Sequence, residues 1–162
     1  MKMAVICHSR GGTTKKMGEI IAEGMASVSG VEARVFSIDA VDADFVKEAK
    51  CVVVGTPTYL ATMSAEMKTW LDSPSGKFDL AGKIGGAYAT ADYIHGGSEI
   101  AIQAILSHLL VRGMLVYSGG GAHGKPVIHL GPVAIKDNMD ACTEYCRIYG
   151  QRMATKTMEI FR

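Results

Sequence analysis

The sequence predicts an α/β fold: a three-layer sandwich with a five-stranded parallel sheet of order 2-1-3-4-5 and helices on both faces. Three observations predict it. Short apolar runs alternate with segments of helical periodicity along the whole chain, the pattern of successive strand–helix–strand units. The strand runs are mostly continuously apolar, as strands covered on both faces must be. The 162 residues are enough for one domain, 1–162, whose core buries roughly two-thirds of the unfolded surface.

The elements follow in order. Lys2 to Cys7 is the first strand. Thr13 or Thr14 can cap a helix whose Met17, Ile20, Ile21, Met25 and Val28 keep helical spacing, and Ser29-Gly30 ends it. Val31 to Ile38 alternates as a second strand, a weakly helical stretch runs from Val41 to Ala49, and Cys51 to Gly55 is the most β-prone run. Ser64 caps a helix with Met67, Trp70 and Leu71 on its inner stripe, closed at Ser73-Pro74-Ser75-Gly76. Lys83 to Thr90 is the fourth strand. Ser98 caps a helix from Glu99 to Val111 that is apolar on more than one side, so it is expected to be largely buried. Met114 to Tyr117 is the fifth strand, and a glycine-rich excursion follows to about Pro132. Asp137 opens the closing helix, with Asp140 placed as in a capping box.

Composition narrows the function. Seventeen basic residues stand against sixteen acidic ones, so no broad basic face is implied and nucleic acid is not an expected partner. The apolar stretch from Ile100 to Val116 is broken by Gln103, Ser107, His108 and Arg112, which argues against membrane insertion. The apolar run at the start is too short for a signal peptide, and a cytoplasmic location is expected. Cys7, Cys51, Cys142 and Cys146 contain no CxxC pair and read as core filler in a reducing compartment. The histidines are scattered and no metal site is expected.

In a sheet of this order, ligands bind at the carboxyl ends of the strands beside the topological switch, between the first and third strands. The first such loop is His8-Ser9-Arg10-Gly11-Gly12-Thr13-Thr14. Its hydroxyls, its glycines and the positive end of the following helix suit a phosphate, with Arg10 as the one full positive charge. Competing motifs fail on detail. A dinucleotide fingerprint needs GxGxxG, and the loop offers Gly11, Gly12 and then Gly18. The Gly119–Lys125 run matches a Walker A loop until its last position, which is Pro126. At the end of the third strand, Pro57-Thr58-Tyr59-Leu60-Ala61 would border a planar ring, with Tyr59 offering a stacking face. At the end of the fourth, Ala89-Thr90-Ala91-Asp92-Tyr93 combines small residues with a second aromatic face, and His95 is a further polar candidate.

These residues match a known family. The 8–17 segment resembles the phosphate loop of flavodoxins, of pattern S/T-x-x-G-x-T. Gly55 to Tyr59, continuing through Met63-Ser64-Ala65-Glu66-Met67-Lys68, is similar to the third-strand segment of the tryptophan-repressor-binding-protein family of NAD(P)H:quinone oxidoreductases. Gly96-Gly97-Ser98-Glu99 and Gly113-Met114 are similar to further stretches of that family. The resemblance implies a flavodoxin-like fold and FMN, with Ser9, Arg10, Gly11, Gly12, Thr13 and Thr14 on the phosphate. It also implies that Pro57 to Ala61 and Ala89 to Asp92 border the isoalloxazine. Family members often carry glycine where Ala61 stands. The family's tetramer-building insertion has no room here, so a homodimer is expected.

Two functions follow from the resemblance. The first is a reductase in which FMN takes a hydride from NAD(P)H and passes two electrons to a quinone or similar small acceptor. The alternative is a flavodoxin-type carrier passing single electrons between redox proteins. The near-neutral charge favours the first, because a carrier is expected to steer partners with an acidic surface. Tyr59 and Tyr93 favour the second, because a ring covered on both faces cannot receive a hydride. No catalytic side chain is assigned under either.

Overall fold

A computed structural model describes residues 1–162, in the order β1 (Lys2–Cys7), α1 (Thr13–Ala26), β2 (Glu32–Ser37), α2 (Ala43–Glu48), β3 (Cys51–Tyr59), β4 (Thr62–Met63), α3 (Ala65–Asp72), β5 (Ile84–Ala91), α4 (Ser98–Val111), β6 (Leu115–Val116), β7 (Val133–Ile135) and α5 (Met139–Ile160). The α/β flavodoxin-like class holds. The sheet runs β2-β1-β3-β5-β6, with β4 paired to β3 and β7 to β5. All pairings are parallel except β3 with β4.

The sheet has seven strands where five were expected. The predicted order survives through β5, and the fifth position is then shared. β6 pairs with Ile84 and Gly85 at the start of β5, whereas β7 pairs with Ala89, Thr90 and Ala91 at its end. The excursion from 117 to 132 leaves the sheet between them. Strands of two or three residues are too short to show a period of two, so neither β4 nor β7 is visible to patterning.

β1, β3 and β5 bury nearly every residue because helices cover both faces. Successive side chains alternate between those faces. Val52 and Val54 of β3 join Phe45, Met67, Trp70, Ile102 and Ile105 under α2, α3 and α4. Val53 joins Met17, Ile21, Met25, Tyr88, Tyr149 and Met153 under α1 and α5. α4 corrects one expectation. Ala101, Ile102, Ile105 and Leu109 are buried, but Ile100, Leu110 and Val111 are exposed, because a helix lying on a sheet packs only one side.

Helix starts also depart from the sequence reading. Ser64 caps α3 as expected, accepting from the Met67 N–H at 3.2 Å. α1 and α4, however, start after left-handed glycines, Gly12 and Gly97, with no side-chain cap. α5 starts at Met139 behind a 3₁₀ turn over Lys136–Asn138, so the Asp137–Asp140 box does not form.

Lys83 is the one cation in the core, 6% exposed. Its ammonium donates to the carbonyls of Val46 (2.9 Å), Lys47 (2.6 Å) and Ala49 (2.7 Å). It thereby satisfies the carboxyl end of α2, where cations are favoured. Burial pushes its pKa below that of an ordinary lysine. Lys83→Met fills the same space but orphans the Lys47 and Ala49 carbonyls, while Val46 keeps the Ala49 N–H, so an expected loss of about 2 kcal/mol should appear as a lower urea midpoint at unchanged slope. A loss under about 0.5 kcal/mol would show that water replaces the ammonium there.

The four cysteines are unpaired, and burial pushes the Cys51 and Cys146 thiols up to about 12. No helix is long and apolar enough to cross a membrane.

Candidate functional site

The loop between β1 and α1 folds back on itself through one hydroxyl. Ser9 Oγ accepts from the N–H groups of Gly12 (3.1 Å) and Lys15 (3.2 Å). Gly12 sits at φ 91°, ψ −23°, which turns the chain into the helix, and the Lys16 N–H closes the first helical bond on its carbonyl at 2.9 Å. The N–H groups of Arg10, Gly11, Thr13 and Thr14 donate to no acceptor in the protein. Four free donors at the positive end of a helix make an anion site. β5 holds this loop in place. Thr14 Oγ1 lies 2.8 Å from Thr90 Oγ1, and the Tyr88 hydroxyl donates to the Thr14 carbonyl at 3.0 Å. Burial pushes the Cys7 thiol and the Tyr88 phenol up, so both stay neutral beside the loop.

The second loop is more ordered than its sequence suggests. β3 continues to Tyr59 and returns as β4, with Thr58 opposite Met63 and Tyr59 opposite Thr62. Only Leu60 and Ala61 make the turn, at φ 48° and 65°. Two-residue hairpin turns of this kind demand positive φ at both positions, where asparagine and glycine are usual. The base of the hairpin is pinned. Thr56 Oγ1 donates to the Pro57 carbonyl at 2.9 Å and accepts from the Ser64 N–H at 3.0 Å, while His8 Nδ1 lies 2.8 Å from Ser64 Oγ. Leu60 is fully exposed, so the strain is not offset by burial. Ala61→Gly is therefore expected to stabilise the fold by about 1 kcal/mol. Chemical unfolding checks it; an equal or lower midpoint would mean that the turn relaxes out of the left-handed region in solution.

The loops after β1, β3 and β5 enclose a cavity of about 240 Å³ lined by Arg10, Gly11, Thr13, Thr14, Pro57, Thr58, Tyr59, Thr90, Ala91, Asp92 and Lys136. A neighbouring cavity of about 480 Å³ shares Thr58, Tyr59, Ala91 and Asp92 and adds Leu60, Ala61, Tyr93 and Gly96. Thr58 Oγ1, on both, is buried without a hydrogen-bond partner. A buried hydroxyl left free on a cavity wall is available to bond a ligand atom.

Most residues singled out from the sequence meet around these cavities. Of those expected to border the flavin, three do not line them. Ser9 is spent inside its loop, Gly12 shapes the backbone, and Ala89 lies fully buried within β5. His95 lines neither cavity, and His123 Nε2 lies 2.9 Å from the Tyr117 hydroxyl in the excursion. Gly120 bridges antiparallel to Ile128, so no helix follows the Walker-like run. Lys136 was missed. Its place depends on β7, which sequence periodicity does not reveal.

A family model described as NADPH-dependent FMN reductase matches residues 1–125. The chain belongs to that family. Among relatives of this FMN reductase family member, a flavodoxin of Clostridium saccharobutylicum is 45% identical over 161 residues, covering 99% of this chain and 100% of that protein. An NAD(P)H dehydrogenase (quinone) of Aromatoleum aromaticum is 30% identical over 143 residues, covering 72% of this chain and 69% of that one. Among solved structures, a flavodoxin from the domain Archaea superposes with TM-score 0.78 at 29% identity, covering 98% and 99% of the two chains. The resemblance noted from the loops to flavodoxins and quinone oxidoreductases therefore holds, over 99% of the chain for the first relative and 72% for the second.

Proposed function

We propose that this chain binds FMN at the carboxyl ends of β1, β3 and β5 and serves as a flavodoxin-type electron carrier. The observation that carries the cofactor is the meeting of four unpaired N–H groups at the start of α1 with the unpartnered Thr58 hydroxyl around one cavity. The donor set fits a phosphorylated flavin. Arg10, Gly11, Thr13 and Thr14 would hold the phosphate, while Pro57 to Ala61 and Thr90 to Tyr93 would hold the ring system. Bound FMN supplies a centre that exchanges electrons singly or as a hydride. The protein's own part is to bind and orient it and to limit which reactants reach it.

The order of the two readings taken from the sequence reverses here. A carrier is supported by the end-to-end similarity to a flavodoxin of the same length and by the compact chain. It is also supported by Tyr59 and Tyr93, which line one cavity and offer two aromatic faces against hydride access. The reductase reading keeps one specific support. Tyr93 is 77% exposed and unpartnered, so it is free to swing aside for a nicotinamide. FMN-loaded protein under anaerobic conditions separates them. For a carrier, NADH and NADPH leave the flavin absorbance unchanged and dithionite bleaches it. Bleaching by either nucleotide, reversed by a quinone, would establish the reductase, with NAD(P)H as donor and a small-molecule acceptor.

A further inference from the structure

We infer that Lys136 is a cofactor-selecting residue, the cation that makes the site prefer a phosphorylated flavin over the unphosphorylated one; this rests on the FMN reading above. The split fifth strand is what delivers it. β7 pairs with the end of β5, Ala91 opposite Ile135, so the next residue emerges at the carboxyl edge of the sheet beside Asp92. The chain then turns through Lys136–Asn138 into α5, and this short link ties Lys136 to two packed elements.

Lys136 lines the cavity that Arg10, Thr13 and Thr14 also line. It lines a second, polar cavity of about 350 Å³ as well, and only Thr13 and Lys136 belong to both. Lys136 is exposed and enters none of the chain's ion pairs. The carboxylates nearest in sequence, Asp137 and Asp140, line the second cavity and not the first. Asp92 is the one carboxylate on the first, against the two cations Arg10 and Lys136. A phosphate monoester close to doubly ionised at neutral pH would meet net positive charge there, and the neutral ribityl group of riboflavin would gain nothing from it.

Apoprotein titrated with FMN and with riboflavin, followed by quenching of flavin fluorescence, tests the assignment. Lys136→Met is expected to weaken FMN about tenfold at low salt and to leave riboflavin unchanged. Lys136→Arg keeps the FMN affinity near that of the unaltered chain. The gap between the unaltered chain and Lys136→Met narrows at 0.5 M salt, because exposed charges are screened. Lys77→Met, a lysine on another face, serves as the control and leaves both ligands unchanged. Equal losses for FMN and riboflavin, or no loss for FMN, would overturn the role of Lys136 while leaving the FMN site standing. An unaltered chain that binds neither flavin would overturn both.

Discussion

Gly12→Val is expected to lower FMN affinity about a hundredfold or more while the domain stays folded. The reason is conformational. Gly12 sits at φ 91°, ψ −23°, and a β-branched residue is a genuine outlier there. A Cβ at this position would meet nothing within 4 Å, so the substitution clashes with no neighbour and the core is untouched. What changes is the direction of the N–H groups on either side. The backbone must leave the left-handed region, which costs about 1–2 kcal/mol if it does not. In leaving it, the Gly12 N–H lets go of Ser9 Oγ and the free donors of residues 10–14 no longer converge. Hydrogen bonds to a charged acceptor contribute about 1.5–3 kcal/mol each, so misdirecting one or two of them reaches the hundredfold level. Gly12→Asn should keep most of the affinity, because asparagine tolerates this conformation. Fluorescence titration with circular dichroism as the folding check decides it. Unchanged affinity in Gly12→Val would remove this loop from the phosphate site.

Gly24→Ala and Gly150→Ala are each expected to cost about 2–3 kcal/mol, lowering Tm by about 5–10 °C. Local propensity predicts the opposite, since alanine in a helix interior is better than glycine by about 1 kcal/mol. Packing overrules it. A Cβ on Gly24 of α1 would lie 2.1 Å from the Arg147 carbonyl oxygen of α5. A Cβ on Gly150 of α5 would lie 2.1 Å from the Ile21 carbonyl oxygen of α1. Both obstacles are backbone, which has no rotamer to escape into, so the helices must separate and open the layer formed by Met17, Ile21, Met25, Tyr149 and Met153. The double variant should lose less than the sum of the two, because the first separation makes room for the second methyl. Thermal unfolding of the three variants tests this. A rise in Tm for either single variant would mean that the two helices do not touch backbone to backbone.

The α/β class and the inner faces of α1 and α3 were legible because period and composition are local properties, and the strand order through β5 followed as the usual one for five alternating strand–helix units. Val52, Val53 and Val54 declare a strand covered on both sides whatever surrounds them, and Met17, Ile20 and Ile21 declare a helix face. The 8–14 loop was legible for the same reason: its hydroxyls, its glycines and a helix start adjoin in the chain. What patterning missed depends on partners distant in sequence. Val133–Ile135 is a strand only because Ala89–Ala91 lies beside it, and Thr62–Met63 only because β3 folds back on it. The positive φ of Leu60 and Ala61 follows from that hairpin, against the preference of both residues. Lys136 is a plain lysine in the sequence and becomes a site cation only when β7 docks. Gly24 and Gly150 look like weak points in two helices until the helices cross. Local chemistry decided which segments could form strands, helices and a phosphate loop; long-range pairing decided which of their residues meet, since a contact between distant positions leaves no periodic trace in either.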